Sequence, residues 1–339
     1  MLAAFLMPAT VSAQTPAQAN TDNFFVGKKM TMLIGSSPGG GYDVYARIIS
    51  RYMPKFLPGE PTMVASNMAG AGSNVAAAFI ANSAPKDGTH IGALYMGAVV
   101  EPLFYGKKRN THNPAEFNYI GNANTDYDIC AIRADAPVKT FDDLFKTEIV
   151  LGASAPGGAT YDFPIFLKQL LGIKIRIVSG YPGSREVNLA LEKGEVHGVC
   201  GQSWGGVAAM YEPMIRSGSI KLIAQESGSS HPDLAKMGVP LARDFAKTDM
   251  QRKIMDLFYE QTSFSRPYVV AKEVPAQRVS VLRTAFMKAM RDPELLAEAT
   301  KLGLEVEAIS GEDLQKKIKE LYSAPEDMVE KIRAIYVSN

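Results

Sequence analysis

Two stretches far apart in the chain repeat one short plan. Gly35-Ser36-Ser37-Pro38-Gly39-Gly40-Gly41-Tyr42-Asp43 and Gly152-Ala153-Ser154-Ala155-Pro156-Gly157-Gly158-Ala159-Thr160-Tyr161-Asp162 each carry Ser, Pro, a glycine pair and then Tyr-Asp. Each follows a short apolar run, Thr31–Ile34 or Ile149–Leu151, and opens a helical pattern. A helix start has unpaired N–H groups and partial positive charge, and glycine lets an anion come close to them. Such a turn can hold a carboxylate or phosphate without a buried Lys or Arg. Two of them on one plan point to two half-molecules, each offering an anion-holding helix start. Ser37, Ser154 and Thr160 are the hydroxyls nearest the loops. Asp43 and Asp162 either cap backbone amides or accept from an amino or hydroxyl group of a ligand. The competing reading is that both loops are tight turns with structural caps.

The rest of the chain is consistent with two such halves. Short runs rich in apolar and β-branched residues, among them Met63–Ala65, His90–Leu94, Lys174–Val178, Val196–Cys200, Lys221–Ala224 and Tyr268–Val270, alternate with helical patterns over Asp43–Met53, Ser73–Ala81, Tyr161–Leu171, Ser184–Glu192 and Val207–Arg216. That alternation predicts an α/β protein with mostly parallel sheets. The C-terminal part reads as helices over Pro275–Met290, Pro293–Lys301, Gly311–Tyr322 and Pro325–Tyr336. A length of 339 residues suits about two domains. The first residues, MLAAFLMPATVSAQTPAQA, have an apolar run followed by small residues and read as a cleaved leader over residues 1–19, cut after Ala13 or Ala19. The two cysteines, Cys130 and Cys200, show no metal or CxxC spacing; they read as separately buried thiols, with one disulfide the alternative that an oxidising compartment permits. A net charge of +1 gives no basic excess for nucleic acid.

Other chemistries fit less well. Gly39 and Gly41 are followed by Tyr42, Asp43 and Val44, which breaks a dinucleotide fingerprint, and no Lys completes a phosphate-binding loop of the Walker type. The four histidines have no paired spacing for a metal, and neither metal nor cofactor is expected. The rival is a serine hydrolase. Gly201-Gln202-Ser203-Trp204-Gly205 matches the nucleophile-elbow pattern, with Ser203 as nucleophile, and Gly35–Gly39 matches it too. After Ser203 only His231 can serve as base, with Glu212 and Glu226 as the acids between them, which is cramped.

Three segments in order carry a family resemblance: Pro38-Gly39-Gly40-Gly41-Tyr42-Asp43 with Ala46-Arg47, then Asn67-Met68-Ala69-Gly70-Ala71-Gly72-Ser73-Asn74, then Ala84-Pro85-Lys86-Asp87-Gly88-Thr89. From about Phe25 onward the chain resembles the substrate-binding components of tripartite tricarboxylate transporters, the Bug or TctC-type extracytoplasmic receptors. The resemblance implies a two-lobed periplasmic-binding-protein fold of type II, with a hinge of crossing strands and closure on the ligand. It implies no enzymatic activity, a small carboxylate as ligand (a di- or tricarboxylate or an aromatic acid), and delivery to a small and a large transmembrane subunit. A sensor role, with the closed lobes docking on a membrane kinase, is the other use of the same fold. The implied ligand residues are Ser37, Gly39, Gly40, Gly41, Tyr42 and Asp43 in the first loop, and Ser154, Gly158, Ala159 and Thr160 in the second. Asn74 stands at the first-lobe edge, with Tyr181, Gly183, Gln202 and Ser203 at the second. Many members have Gly where Ser73-Asn74 stand here, and a Ser/Thr-His pair where this chain has Thr160-Tyr161. The expected lobes are residues 20–123 with 227–339, and residues 124–226. The crossings are expected near Asn122–Asp128 and Leu222–Glu226.

Overall fold

The structure, a computed structural model, describes residues 23–106 and 112–337. The expected leader lies outside the described residues. The strands form two sheets. The first contains β1 (Lys29–Ile34), β2 (Thr62–Asn67), β3 (His90–Ala93) and β4 (Asn118–Asn122). The second contains β5 (Asp128–Arg133), β6 (Ile149–Gly152), β7 (Ile175–Val178), β8 (Gly198–Ser203) and β9 (Ile220–Glu226). The chain then returns to the first sheet with β10 (Pro267–Val270) and β11 (Ile309–Ser310), giving the orders β11-β4-β10-β3-β1-β2 and β7-β6-β8-β5-β9. The sheets are mixed rather than mostly parallel. β1 runs parallel to β2 and β3, and β6 parallel to β7 and β8. β10 is antiparallel to β3 and β4, and β5 is antiparallel to β8 and β9. The reversed strands are those beside the passages between the sheets. The strands on either side of the first passage, β4 and β5, begin at Asn118 and Asp128 and give a weak strand signal.

The first sheet carries α1 (Gly41–Tyr52), α2 (Asn74–Asn82) and α3 (Met96–Phe104). The second carries α4 (Ala159–Leu171), α5 (Ser184–Lys193) and α6 (Trp204–Arg216). After β9 come α7 (Pro232–Lys236) and α8 (Asp249–Tyr259), and then α9 (Ala276–Ala289), α10 (Pro293–Lys301), α11 (Gly311–Tyr322) and α12 (Glu326–Val337). Helical spacing puts Tyr45, Ile48 and Ile49 of α1 on one buried face, in a core shared with Met32, Ile34 and Phe286. A second core is continuous between the halves, running from Leu33 through Phe104 to Leu151 and Phe166. Phe258 of α8 joins them: its ring stacks on Phe166 at 3.8 Å and lies 5.8 Å from Phe104. No helix of the described residues is long and apolar enough to cross a membrane.

The first crossing runs where expected, through residues 123–127 between β4 and β5. The return does not lie at Leu222–Glu226, because those residues are paired with β5 as the edge strand β9. An edge strand and a connecting strand have the same short apolar pattern, so sequence does not separate them. The return passes at residues 262–266, beside the first crossing. The Ala123 N–H donates to the Arg266 carbonyl at 3.1 Å, and the Asp126 N–H to the Thr262 carbonyl at 2.9 Å. The cysteine expectation is also corrected: Cys130 and Cys200 are joined as a disulfide. Antiparallel pairing of β5 with β8, with Ile129 opposite Gln202 and Ala131 opposite Val199, brings them together.

Candidate functional site

The first glycine loop links β1 to α1. The Asp43 side chain closes it from beneath. One carboxylate oxygen accepts the Gly39 N–H at 2.9 Å, and the other accepts from Asn67 at 2.8 Å. Arg47 Nε donates to the same carboxylate at 2.9 Å. Burial pushes this carboxyl up, but the bonds from Arg47, Gly39 and Asn67 outweigh it and hold it below the usual range. Asp43 is therefore committed to the loop. Ser37, Gly39 and Gly41 remain exposed at its rim. The loop root is fixed by a close approach: a Cβ on Gly35 would sit on the Ser73 hydroxyl. Ser73 has left-handed backbone, φ 77°, a conformation that favours glycine. Its hydroxyl accepts the Tyr95 N–H at 3.1 Å.

The second loop, between β6 and α4, is built in the same way. The Asp162 carboxylate accepts the Gly157 N–H at 3.1 Å, as Asp43 accepts that of Gly39. Thr160 Oγ accepts the Ser154 N–H at 3.0 Å and lies 2.8 Å from the Ser154 hydroxyl. The repeated Tyr-Asp thus has a common chemical use, since the aspartate ties the glycine turn to the helix it opens. The two tyrosines diverge. Tyr42 packs on Tyr95 with ring centroids 4.1 Å apart.

The second loop reaches the other half at Gly72 and Gly97. A Cβ on Gly97 of α3 would lie 2.4 Å from the Gly157 carbonyl oxygen, and one on Gly72 would lie 3.1 Å from it. Asn74, at the start of α2, donates to the Ala71 carbonyl at 2.7 Å and to the Glu101 carboxylate. The expected residues of the second edge are more scattered. The Tyr181 ring lies over Gly152, with a contact of 3.6 Å to a Cβ built there. Gly183 caps α5. Gln202 is buried and donates to Asn188 at 2.6 Å. A separate groove of about 600 Å³ lies between α6 and α10, and its lining, which includes Ala208, Leu296 and Leu304, contains none of the glycine-loop residues.

Sequence reasoning missed the group that ties these parts together. Arg266, only 7% exposed, reaches between the halves at the crossing. It pairs with Asp126 at 2.9 Å and donates to the Ser265 carbonyl at 3.1 Å. Its guanidinium lies 4.2 Å from the Tyr42 ring centroid, a cation–π contact. One guanidinium nitrogen lies 3.6 Å from a Cβ built on Gly41. Ser203 donates its hydroxyl to the Asp126 carboxylate. Tyr42, Arg266, Asp126 and Ser203 therefore form one chain from α1 to β8. The only sequence hint was that Arg266 and Pro267 precede the apolar run at Tyr268.

The same contacts lend the hydrolase reading no support. Ser203 is bonded to a carboxylate, not to an imidazole, and a nucleophile needs a base within reach. His231 accepts the Asp233 N–H at 3.1 Å, and its other nitrogen lies 3.7 Å from Glu305. Glu226 is wholly buried, and burial pushes its carboxyl up to about 8 against the opposing Gly201 N–H. Among the described residues, the group with metal-ligand spacing is Cys130, Cys200 and Glu226, whose sulfurs are already paired.

Comparison with known proteins agrees with this geometry. Residues 45–333 match the tripartite tricarboxylate transporter family receptor. The chain is 27% identical, over 59% of its length, to a UPF0065 protein from the TAR-I ttuE-ttuC' intergenic region of Agrobacterium vitis. It spans roughly three fifths of the length of the curated relatives it matches, 57% and 65%. The fold is that of the periplasmic binding protein BugD, with TM-score 0.67, 22% identity, and coverage of 91% of this chain and 98% of that one. It is equally that of MatC from Rhodopseudomonas palustris with bound malate, with TM-score 0.66, 20% identity, and coverage of 89% and 99%. These likenesses show the two-lobed α/β binding-protein fold, and the match over most of the chain shows that this protein belongs to the tripartite tricarboxylate transporter receptors.

Proposed function

We propose that this protein is an exported receptor that captures a small carboxylate between its lobes and delivers it to the small and large transmembrane subunits of a tripartite transporter. On this reading it turns over no substrate. The observation that carries the proposal is one glycine-turn helix start in each half, each tied by its aspartate to a turn N–H, with the second turn seated at Gly157 against Gly72 and Gly97 of the first half. Each supplies backbone N–H groups to an anion, so a ligand with acidic groups at both ends is gripped by both lobes. The proposed contacts are those of Ser37 to Asp43 and Ser154 to Thr160, with Asn74 and Tyr181 at the edges. The malate in MatC, a fold relative, supports a dicarboxylate. The disulfide supports export, because such bonds persist in oxidising compartments. The moving bodies are the proposed lobes, 20–123 with 227–339 and 124–226. One amendment follows from the bond of the Gln225 N–H to the Pro240 carbonyl, which ties the segment after β9 to the second lobe.

The test is a thermal-shift scan against malate, succinate, adipate, citrate, glutamate, nicotinate, benzoate and terephthalate. A ligand at 100 times its dissociation constant adds about 2.7 kcal/mol of stability, a rise of roughly 5 °C or more. A scan flat for every carboxylate sinks the proposal. Gly97→Ala is a sharper probe of the cleft. Its new Cβ would lie 2.4 Å from the Gly157 carbonyl oxygen, a collision that opening of the lobes would relieve. Overpacking of this kind costs about 1–3 kcal/mol, so titration calorimetry should show affinity falling roughly 5- to 150-fold. The ligand-free protein should hold or gain stability, since alanine favours a helix over glycine by about 1 kcal/mol. Unchanged affinity would mean that the loops do not meet in the bound state.

A further inference from the structure

The second glycine loop has a fastening behind it. Asp162, one turn into α4, is 7% exposed. Beyond the Gly157 N–H, its neighbours come from α3 and α12. The Tyr336 hydroxyl of α12 donates to the Asp162 carbonyl at 3.2 Å, and the Tyr336 ring lies 4.1 Å from that of Tyr105, just past α3. The Tyr105 hydroxyl is buried beside the Asp162 carboxyl. Glu101 of α3 adds a second carboxylate nearby. The cation of α12, Arg333, is engaged with the Leu103 carbonyl, Glu326 and Glu330. From α8, Tyr259 acts on Tyr336. From β8, Gly201 presents only backbone, against the Ala159 carbonyl. An acid of the second lobe is thus enclosed by groups that pack with the first.

We propose that Asp162 fastens the closed receptor as a protonated carboxyl seated against Tyr105 and Tyr336, and that losing this proton loosens closure and releases the ligand. The proposal rests on the cleft between the glycine loops being the ligand site. Burial, and then Glu101, push the carboxyl from an ordinary 3.8 to about 7, against the Tyr105 hydroxyl and the Gly157 N–H. Opening returns Asp162 to water and its pKa toward the ordinary value. Closure therefore takes up a proton between about pH 4 and pH 7. Across that window the closed form loses up to about tenfold in equilibrium constant per pH unit, and above pH 7 the effect levels off.

The test uses the ligand-free protein, so that it stands apart from the identity of the carboxylate. Small-angle X-ray scattering from pH 5 to pH 8.5 should show the radius of gyration of the wild type rising with pH. Asp162→Asn, which keeps the shape and cannot ionise, should stay at the compact value throughout. Tyr105→Phe, which removes the hydroxyl that favours the charged carboxyl, should move the wild-type transition to higher pH. It decides the matter if the asparagine variant does not fold. A wild-type radius flat with pH, the same pH response in Asp162→Asn, or a transition that Tyr105→Phe leaves in place each overturns the proposal. The carboxylate scan can still succeed in any of these cases, so the two failures are distinct.

Discussion

Arg266→Ala is expected to destabilise the protein by about 3–5 kcal/mol, the cost of breaking a buried ion pair from one side. The partner left behind is Asp126, whose side chain is 5% exposed. The same substitution removes the bond to the Ser265 carbonyl and the contact with Tyr42. Lysine should recover only part of the loss. An ammonium can meet Asp126 but does not reproduce the planar contact with the Tyr42 ring. The double variant Arg266→Met with Asp126→Asn should be far less damaged than Arg266→Ala alone, since no charge is then stranded. Urea unfolding followed by circular dichroism measures all four proteins. A loss below about 1 kcal/mol for Arg266→Ala would place it among exposed pairs and remove it as the tie between the lobes.

Reduction of the Cys130–Cys200 disulfide is the second large effect. The cysteines are 70 residues apart in sequence and tie the two central strands of the second sheet. Cross-linking a loop of that length stabilises by about 4 kcal/mol in the chain-entropy treatment. The wild type unfolded with and without a phosphine reductant should differ by an amount of that order. The reductant must act during unfolding, because both sulfurs are buried, each residue being 1% exposed. A double variant with alanine at both positions should match the reduced protein and ignore the reductant. Identical unfolding of the wild type in both conditions would return the cysteines to separate thiols, which is how their spacing first read.

That case shows where sequence reading stops. Cysteine spacing is informative only when the fold keeps the pair local, and here antiparallel pairing of β5 with β8 makes the contact. The glycine loops were legible because their chemistry is contained within a few residues. Asp43 reaches back four residues to Gly39, and Asp162 five to Gly157. The cap reading of both aspartates was one of two alternatives, and each aspartate makes such a backbone bond. The helices with strong periodicity were legible for the same local reason: α1, α4 and α11 fall where their apolar spacing put them. By contrast α3, which carries Gly97 and Glu101, is apolar nearly all round, with Met96, Ala98, Val99 and Val100 buried in succession. A run of that kind has no face to read, and buried helix and buried strand look alike in it.

By itself the sequence determined the α/β class, the paired helix starts and the membership of a receptor family. Each of these depends on side chains close together along the chain, through turn chemistry, helical spacing or an ordered set of short motifs. Only the tertiary structure decided that Arg266 meets Asp126, that Ser203 bonds to Asp126 at the crossing, that the return to the first sheet lies at residues 262–266, and that Asp162 is enclosed by α3 and α12. These contacts join residues distant in sequence. Their energies come from burial and from charge at a few ångströms, and those distances exist only once both sheets have packed.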